Sequence, residues 1–164
     1  MISKFPLVLF HTLLILCTAA SANPHSTDFP PLDVYGEIKH NACLPEQKQS
    51  MLKRLPEDAR GLVDALLCVK KTEASKTYLL RHMRKFIKRT GLDENYIERT
   101  KVIKADPELA EELLSAGEAW NVDLEVTTDR IQLNFMPNEV CHSSRNLIRL
   151  KGKWWIAETD DACD

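Results

Sequence analysis

The stretch Trp120-Asn121-Val122-Asp123-Leu124-Glu125-Val126 decides the fold class of this chain. Apolar and polar residues alternate along it with a period of two, the pattern of a strand with one face buried and one face in water. After Thr128-Asp129 the alternation resumes at Ile131, Leu133 and Phe135, which predicts an antiparallel hairpin. Pro137-Asn138 breaks it, and Cys141-His142-Ser143-Ser144 reads as a loop. A second hairpin follows from Asn146 to Thr159 around Lys151-Gly152, where glycine supplies the positive φ of a two-residue turn.

Upstream of Trp120 the apolar residues recur at the helical period instead. Pro45 fits a first helical position, with Met51, Leu52 and Leu55 on one side, and Pro56 ends that segment while opening another. From Pro56 to Lys71, Ala59, Leu62, Val63, Leu66, Leu67 and Val69 form an amphipathic stripe. Thr72 is placed to cap a third helix running to Arg89, with Leu79, Leu80, Met83, Phe86 and Ile87 inward and Lys76, Arg81, Arg84, Lys85, Lys88 and Arg89 on a basic outer face. Asp93 and Asp106-Pro107-Glu108 read as two further helix starts. Helices followed by consecutive antiparallel strands give an α+β class, with N-terminal helices packed on a C-terminal antiparallel sheet of about four strands.

The N-terminus sets the compartment. Met1 to Lys4 make a short positive region, Phe5 to Thr18 an apolar run of signal-peptide length, and Ala20-Ser21-Ala22 a small-residue cleavage site. Residues 1–22 are therefore expected to be cleaved, with no stable membrane anchor left behind. Residues 23–40 carry Pro24, Pro30 and Pro31 and read as an extended leader, and 41–164 as a single α+β domain. The expected localisation is exported, periplasmic or secreted. In such a compartment Cys43, Cys68, Cys141 and Cys163 form two disulfides, and Cys43–Cys68 with Cys141–Cys163 is the preferred of the three pairings because each ties neighbouring elements. No CxxC pair accompanies them, so no metal site is expected.

The formal charge of the whole chain is only −2 at neutral pH, which argues against a nucleic-acid partner. Within it, residues 70–104 hold eleven Lys or Arg against four Asp or Glu, and residues 105–164 five against thirteen. Two explanations stand open: attraction between the halves across the fold, or a basic face offered to an acidic partner. Glycine-rich phosphate loops, HExxH and dinucleotide fingerprints do not occur.

His142, beside Cys141 and near Asp123 and Glu125, is the one weak candidate for acid–base chemistry, with a surface residue as the plain alternative. Trp154 and Trp155 point to opposite faces of one strand, so one enters the core and the other faces outward, where tryptophan anchors interfaces. With Arg81, Arg84, Lys85, Lys88 and Arg149 they make the expected binding set. Arg145, Arg149 and Lys153 are the cations nearest the outward tryptophan and offer contacts to an acidic partner, with a cross-strand charge ladder as the structural alternative.

The string Leu147-Ile148-Arg149-Leu150-Lys151-Gly152-Lys153-Trp154-Trp155-Ile156-Ala157 resembles the closing strands of the nuclear-transport-factor-2-like superfamily. The resemblance implies a cone of N-terminal helices and a curved sheet around a cavity, used by some relatives for small ligands or catalysis and by others for protein contact. That family places a strand among its helices, and none is read there in this chain. The functional expectation is an exported, disulfide-stabilised, non-enzymatic binding protein of the bacterial envelope, of inhibitor or immunity type, with another protein as partner and no cofactor. The alternative is a cavity protein that binds a small ligand or performs weak acid–base catalysis.

Overall fold

The computed structural model describes residues 40–93 and 95–163. The signal segment and nearly all of the expected leader lie outside these residues. Three helices come first: α1 (Pro45–Lys53), α2 (Glu57–Leu67) and α3 (Glu73–Leu80). Pro45 sits in the first turn of α1, Pro56 is the N-cap of α2, and Thr72 caps α3 through a reciprocal capping box with Ser75. Strands β1 (Met83–Leu92) and β2 (Glu98–Lys104) form a hairpin, α4 (Pro107–Glu112) follows, and β3 (Trp120–Val126), β4 (Arg130–Asn138), β5 (Cys141–Leu150) and β6 (Lys153–Cys163) close the chain as a meander. The six strands lie in the order β2-β1-β6-β5-β4-β3, antiparallel throughout except where β1 runs parallel to β6.

The class is α+β as expected, but the sheet has six strands, not four, because the third helix stops at Leu80. Beyond it Leu79, Met83 and Ile87 keep a four-residue spacing that imitates a helical stripe. In β1 that spacing has a different cause. Four is an even number, so the two-residue period of a strand also places Met83 and Ile87 on one face; the register shift between Met83 and Lys88 interrupts the alternation between them, where Lys85 is exposed. The His82 carbonyl accepts from the Ile156 amide, so β6 captures the backbone at the point where a helix would have continued. Asp93 does not open a helix. It closes the β1–β2 turn, accepting from the backbone of Asn95 and Ile97 and from Arg99 Nε. Cys141 to Ser144 belong to β5, not to a loop, since β4 and β5 are joined by a short turn after Asn138.

The core lies between the helices and one face of the sheet. Leu62, Leu66, Leu67, Leu79, Leu113 and Leu114 from the helical side meet Ile87, Ile131, Leu133, Leu147 and Trp154 from the strands, all fully buried. These side chains fill the middle of the expected cone with hydrocarbon. At the far hairpin, Lys151 (φ 52°) and Gly152 (φ 74°) both take the left-handed conformation of the tight turn read from the sequence. Cys43 bonds to Cys68 at the end of α2, and Cys141 to its cross-strand partner Cys163.

Asp160 yields a pH prediction. Partial burial, with Asp161 and Glu98 nearby, raises its pKa above the ordinary 3.8. A raised carboxyl value means that the folded state binds the proton more tightly than the unfolded one, so this group works against folding once the pH exceeds its folded pKa. Asp160→Asn is expected to raise the melting temperature at neutral pH by an amount worth less than ~1 kcal/mol, since the residue is only slightly covered and water screens most of its charge. The gain should shrink as pH falls through the folded value and vanish below 3.8; thermal scans across that range check it.

Candidate functional site: a cationic groove around Trp155

The two adjacent tryptophans separate as the strand period requires. Trp154 is 1% exposed, and its indole Nε1 donates to Asp58 Oδ1 at 3.0 Å, linking β6 to α2. Arg149 Nη2 donates to the other oxygen of the same carboxylate at 2.7 Å, and its guanidinium lies 5.9 Å from the Trp154 ring. Asp58, Arg149 and Trp154 thus form a joint between helix and sheet. Trp155 turns to the opposite face, which the helices leave uncovered, and pairs across the strand with Ile148.

On that face Trp155 lines an open groove of about 630 Å³ with Arg84, Lys85, Leu150, Lys151 and Lys153. Lys153 is held in place from two sides: its Nζ donates to the Arg81 carbonyl at 2.6 Å and stands 4.3 Å from the centre of the Trp155 ring. The cation covers the aromatic face, an arrangement that strengthens as water is excluded. Lys85 Nζ lies 5.6 Å from the ring centre of Phe86, which is 53% exposed. Val102, 71% exposed on neighbouring β2, adds apolar surface to the β1–β2 side. Among the described residues, no carboxylate lines the groove.

The fold divides the expected binding residues accordingly. Arg84, Lys85 and Trp155 come together at the groove. Arg81 caps the end of α3 and contributes its backbone carbonyl. Lys88 is paired with Glu158, and Arg149 and Trp154 serve the joint at Asp58. Lys153 is the cation that the sequence placed near the outward tryptophan, whereas Leu150 and Lys151 were legible only as a turn and its flank. The charge asymmetry is partly met within the fold. Lys76–Glu111, Lys88–Glu158 and Arg89–Glu112 join the basic and acidic halves, whereas Arg84 and Lys85 make no ion pair among the described residues.

His142 is exposed near the start of β5. Asp123 pairs with Asn134 and Asn134 with Ser144, so the nearest expected carboxylate partner stands two strands away and two residues out of line. The structure does not assemble a dyad there. No group of three or more metal-ligating side chains occurs among the described residues. None of their helices is long and apolar enough to cross a membrane.

No protein-family model matches the sequence, and neither does any curated protein. Among solved structures the chain is similar to a DUF4783 family protein from Bacteroides ovatus, with a TM-score of 0.41 at 9% identity over 67% of this chain and 96% of that one. It is also similar to an NTF2-like protein of unknown function from Methylobacillus flagellatus, with a TM-score of 0.39 at 13% identity over 74% of this chain and 95% of that one. A third is a protein of unknown function with a cystatin-like fold from Nostoc punctiforme, with a TM-score of 0.37 at 11% identity over 74% and 93% of the two chains. The β1–β2 hairpin, standing between α3 and α4, is the strand element among the helices that the sequence reading lacked. Function is left to the side chains that this scaffold presents.

Proposed function

We propose that this chain is an exported, disulfide-stapled, non-enzymatic binding protein of the bacterial envelope, of inhibitor or immunity type, whose partner is an acidic protein surface with an apolar anchor. One observation carries this reading: four cations surround Trp155 and Leu150 in a single groove without a described carboxylate. An aromatic anchor inside a charged rim is the composition of an interface hot spot, and clustered like charges steer an oppositely charged partner toward it. The disulfides support export, because such bonds persist in oxidising compartments.

The test is capture of partners by oxidised protein comprising residues 23–164, from envelope extract of its own source, read by native mass spectrometry. Cross-links to Lys85, Lys151 and Lys153 would locate the contact. An acidic partner retained at about 0.15 M salt, where loose surface attraction is screened, should be lost at least tenfold in Arg84→Glu/Lys85→Glu. Retention by that double variant removes the groove from the reading. A doubled mass of the chain alone would instead assign the face to a second copy.

A further inference from the structure

At the opposite end of the sheet lies a smaller pocket, of about 300 Å³, on the side that carries the helices. Lys71, Arg89, Glu118, Ser143, Arg145 and Asp161 line it, and the Cys141–Cys163 disulfide forms part of its wall. Arg145 is the unusual member. It is 3% exposed, although it carries a permanent charge.

All of its described hydrogen bonds leave from one nitrogen: Nη1 donates to the Ser144 carbonyl at 2.9 Å, to the Asp160 carbonyl at 3.2 Å and to Asp161 Oδ1 at 2.8 Å. Ser143 Oγ donates to that same Asp161 oxygen at 2.7 Å. Nε is buried with no partner. Its cross-strand neighbour on the helix-facing side, Thr159, has a buried hydroxyl in the same condition. Two orphan polar groups therefore belong to paired residues on adjacent strands, and one of those residues, Arg145, lines the pocket.

We propose that this pocket binds a small monocarboxylate, which the Nε–Nη2 edge of Arg145 grips side-on. The chemistry follows from the guanidinium plane. Nε–H and one Nη2–H point the same way and match the two oxygens of a carboxylate, and this edge is directed away from the Nη1 that Asp161 occupies. Burial of Arg145 beside Arg89 makes its cation costly to keep, and an added anion offsets that cost. The flanking acids set the selectivity. Glu112 is paired with Arg89 and Asp161 with Arg145, while the exposed Glu118 also lines the pocket. One negative charge is accommodated, and a second would meet Glu118 and Asp161. This site is distinct from the groove around Trp155 and does not depend on it.

The experiment observes the donor directly. In ¹⁵N-labelled, oxidised protein the Arg145 Nε–H resonance, assigned through bonds from its own backbone, is followed while sodium acetate replaces sodium chloride at constant ionic strength. The expected result is a saturable shift of this resonance with a midpoint in the millimolar range, the scale that four heavy atoms can supply. Succinate should act at least fivefold more weakly, and Arg145→Lys should abolish acetate-induced shifts at the Ser143 and Thr159 amides. A resonance unmoved up to about 0.1 M acetate, or moved equally by both salts, overturns the proposal. So does a long-lived water at Nε that acetate does not displace, since that water would be the missing partner.

Discussion

Trp154→Ala is expected to lower the unfolding free energy by about 3–5 kcal/mol, whereas Trp155→Ala should change it by less than ~1 kcal/mol and, on the proposed function, remove most partner binding. The first value follows from burial and from the joint the indole belongs to. Trp154 is among the largest fully buried side chains, packed where α2 meets β6, so truncation leaves a cavity that the surrounding leucines close only in part. Truncation also deprives Asp58 Oδ1 of its donor and leaves Arg149 as the described partner of that carboxylate. Trp154→Phe should recover most of the volume but not the hydrogen bond, with a loss of about 1–2 kcal/mol. Trp155 has no such role, because its ring stands beside Lys153 on the uncovered face. Chemical denaturation of the two alanine variants, beside their partner affinities, checks the contrast. Equal destabilisation by both would show that Trp155 is a packing residue and would withdraw the anchor from the groove.

Loss of the Cys43–Cys68 bond is expected to cost about 3 kcal/mol, and loss of both disulfides about 6 kcal/mol. In the chain-entropy account the effect depends on the length of chain that each bond closes, and separations of 25 and 22 residues make the two nearly equal. A sum of this size is comparable with the whole stability of an ordinary domain. Cys43→Ala/Cys68→Ala should therefore melt roughly 10 °C below the native protein, and the fully reduced protein should be largely unfolded under mild conditions. The bonds differ in what is released locally. Cys43 fastens the segment that enters α1, which otherwise reaches the sheet through the Asn41–Trp120 bridge, the Ala42 amide on the Ala119 carbonyl and the Asn121 amide on the His40 carbonyl. Without the bond, hydrogen exchange should rise first at residues 40–44 and at the start of β3. Cys141–Cys163 joins directly paired residues, so its loss should free the ends of β5 and β6, beside the Arg145 pocket. Thermal melts and exchange rates that leave these regions unchanged would show that the two cross-links contribute little.

Much of the architecture was legible in short stretches of sequence because the forces that specify it are local. Pro45, Pro56, Thr72 and Asp106 mark helix starts through backbone geometry and capping, and the structure begins α1, α2, α3 and α4 there. Alternation from Trp120 and the Lys151-Gly152 turn specify strands and reversals in the same way. The separation of Trp154 from Trp155 needed only the two-residue period of a strand. What remained obscure lies in residues 83–104. β2 is an edge strand exposed along most of its length, so a run such as Glu98-Arg99-Thr100-Lys101 carries no buried alternation to read. β1 combines helical spacing with an irregular register, and only parallel pairing with β6, some seventy residues later in the chain, makes it a strand.

The sequence by itself determined the α+β class, the positions of most turns and caps, and a set of cations and tryptophans available for binding. Tertiary structure alone decided which of them meet. Arg84 and Lys85 reach Lys153 and Trp155 because β1 docks on β6, and Arg145 is buried because its side of β5 faces the helices. Local periodicity specifies which way a side chain points within its own element. Its neighbours depend on pairing between distant strands, where the energy lies in contacts that no short window of sequence contains.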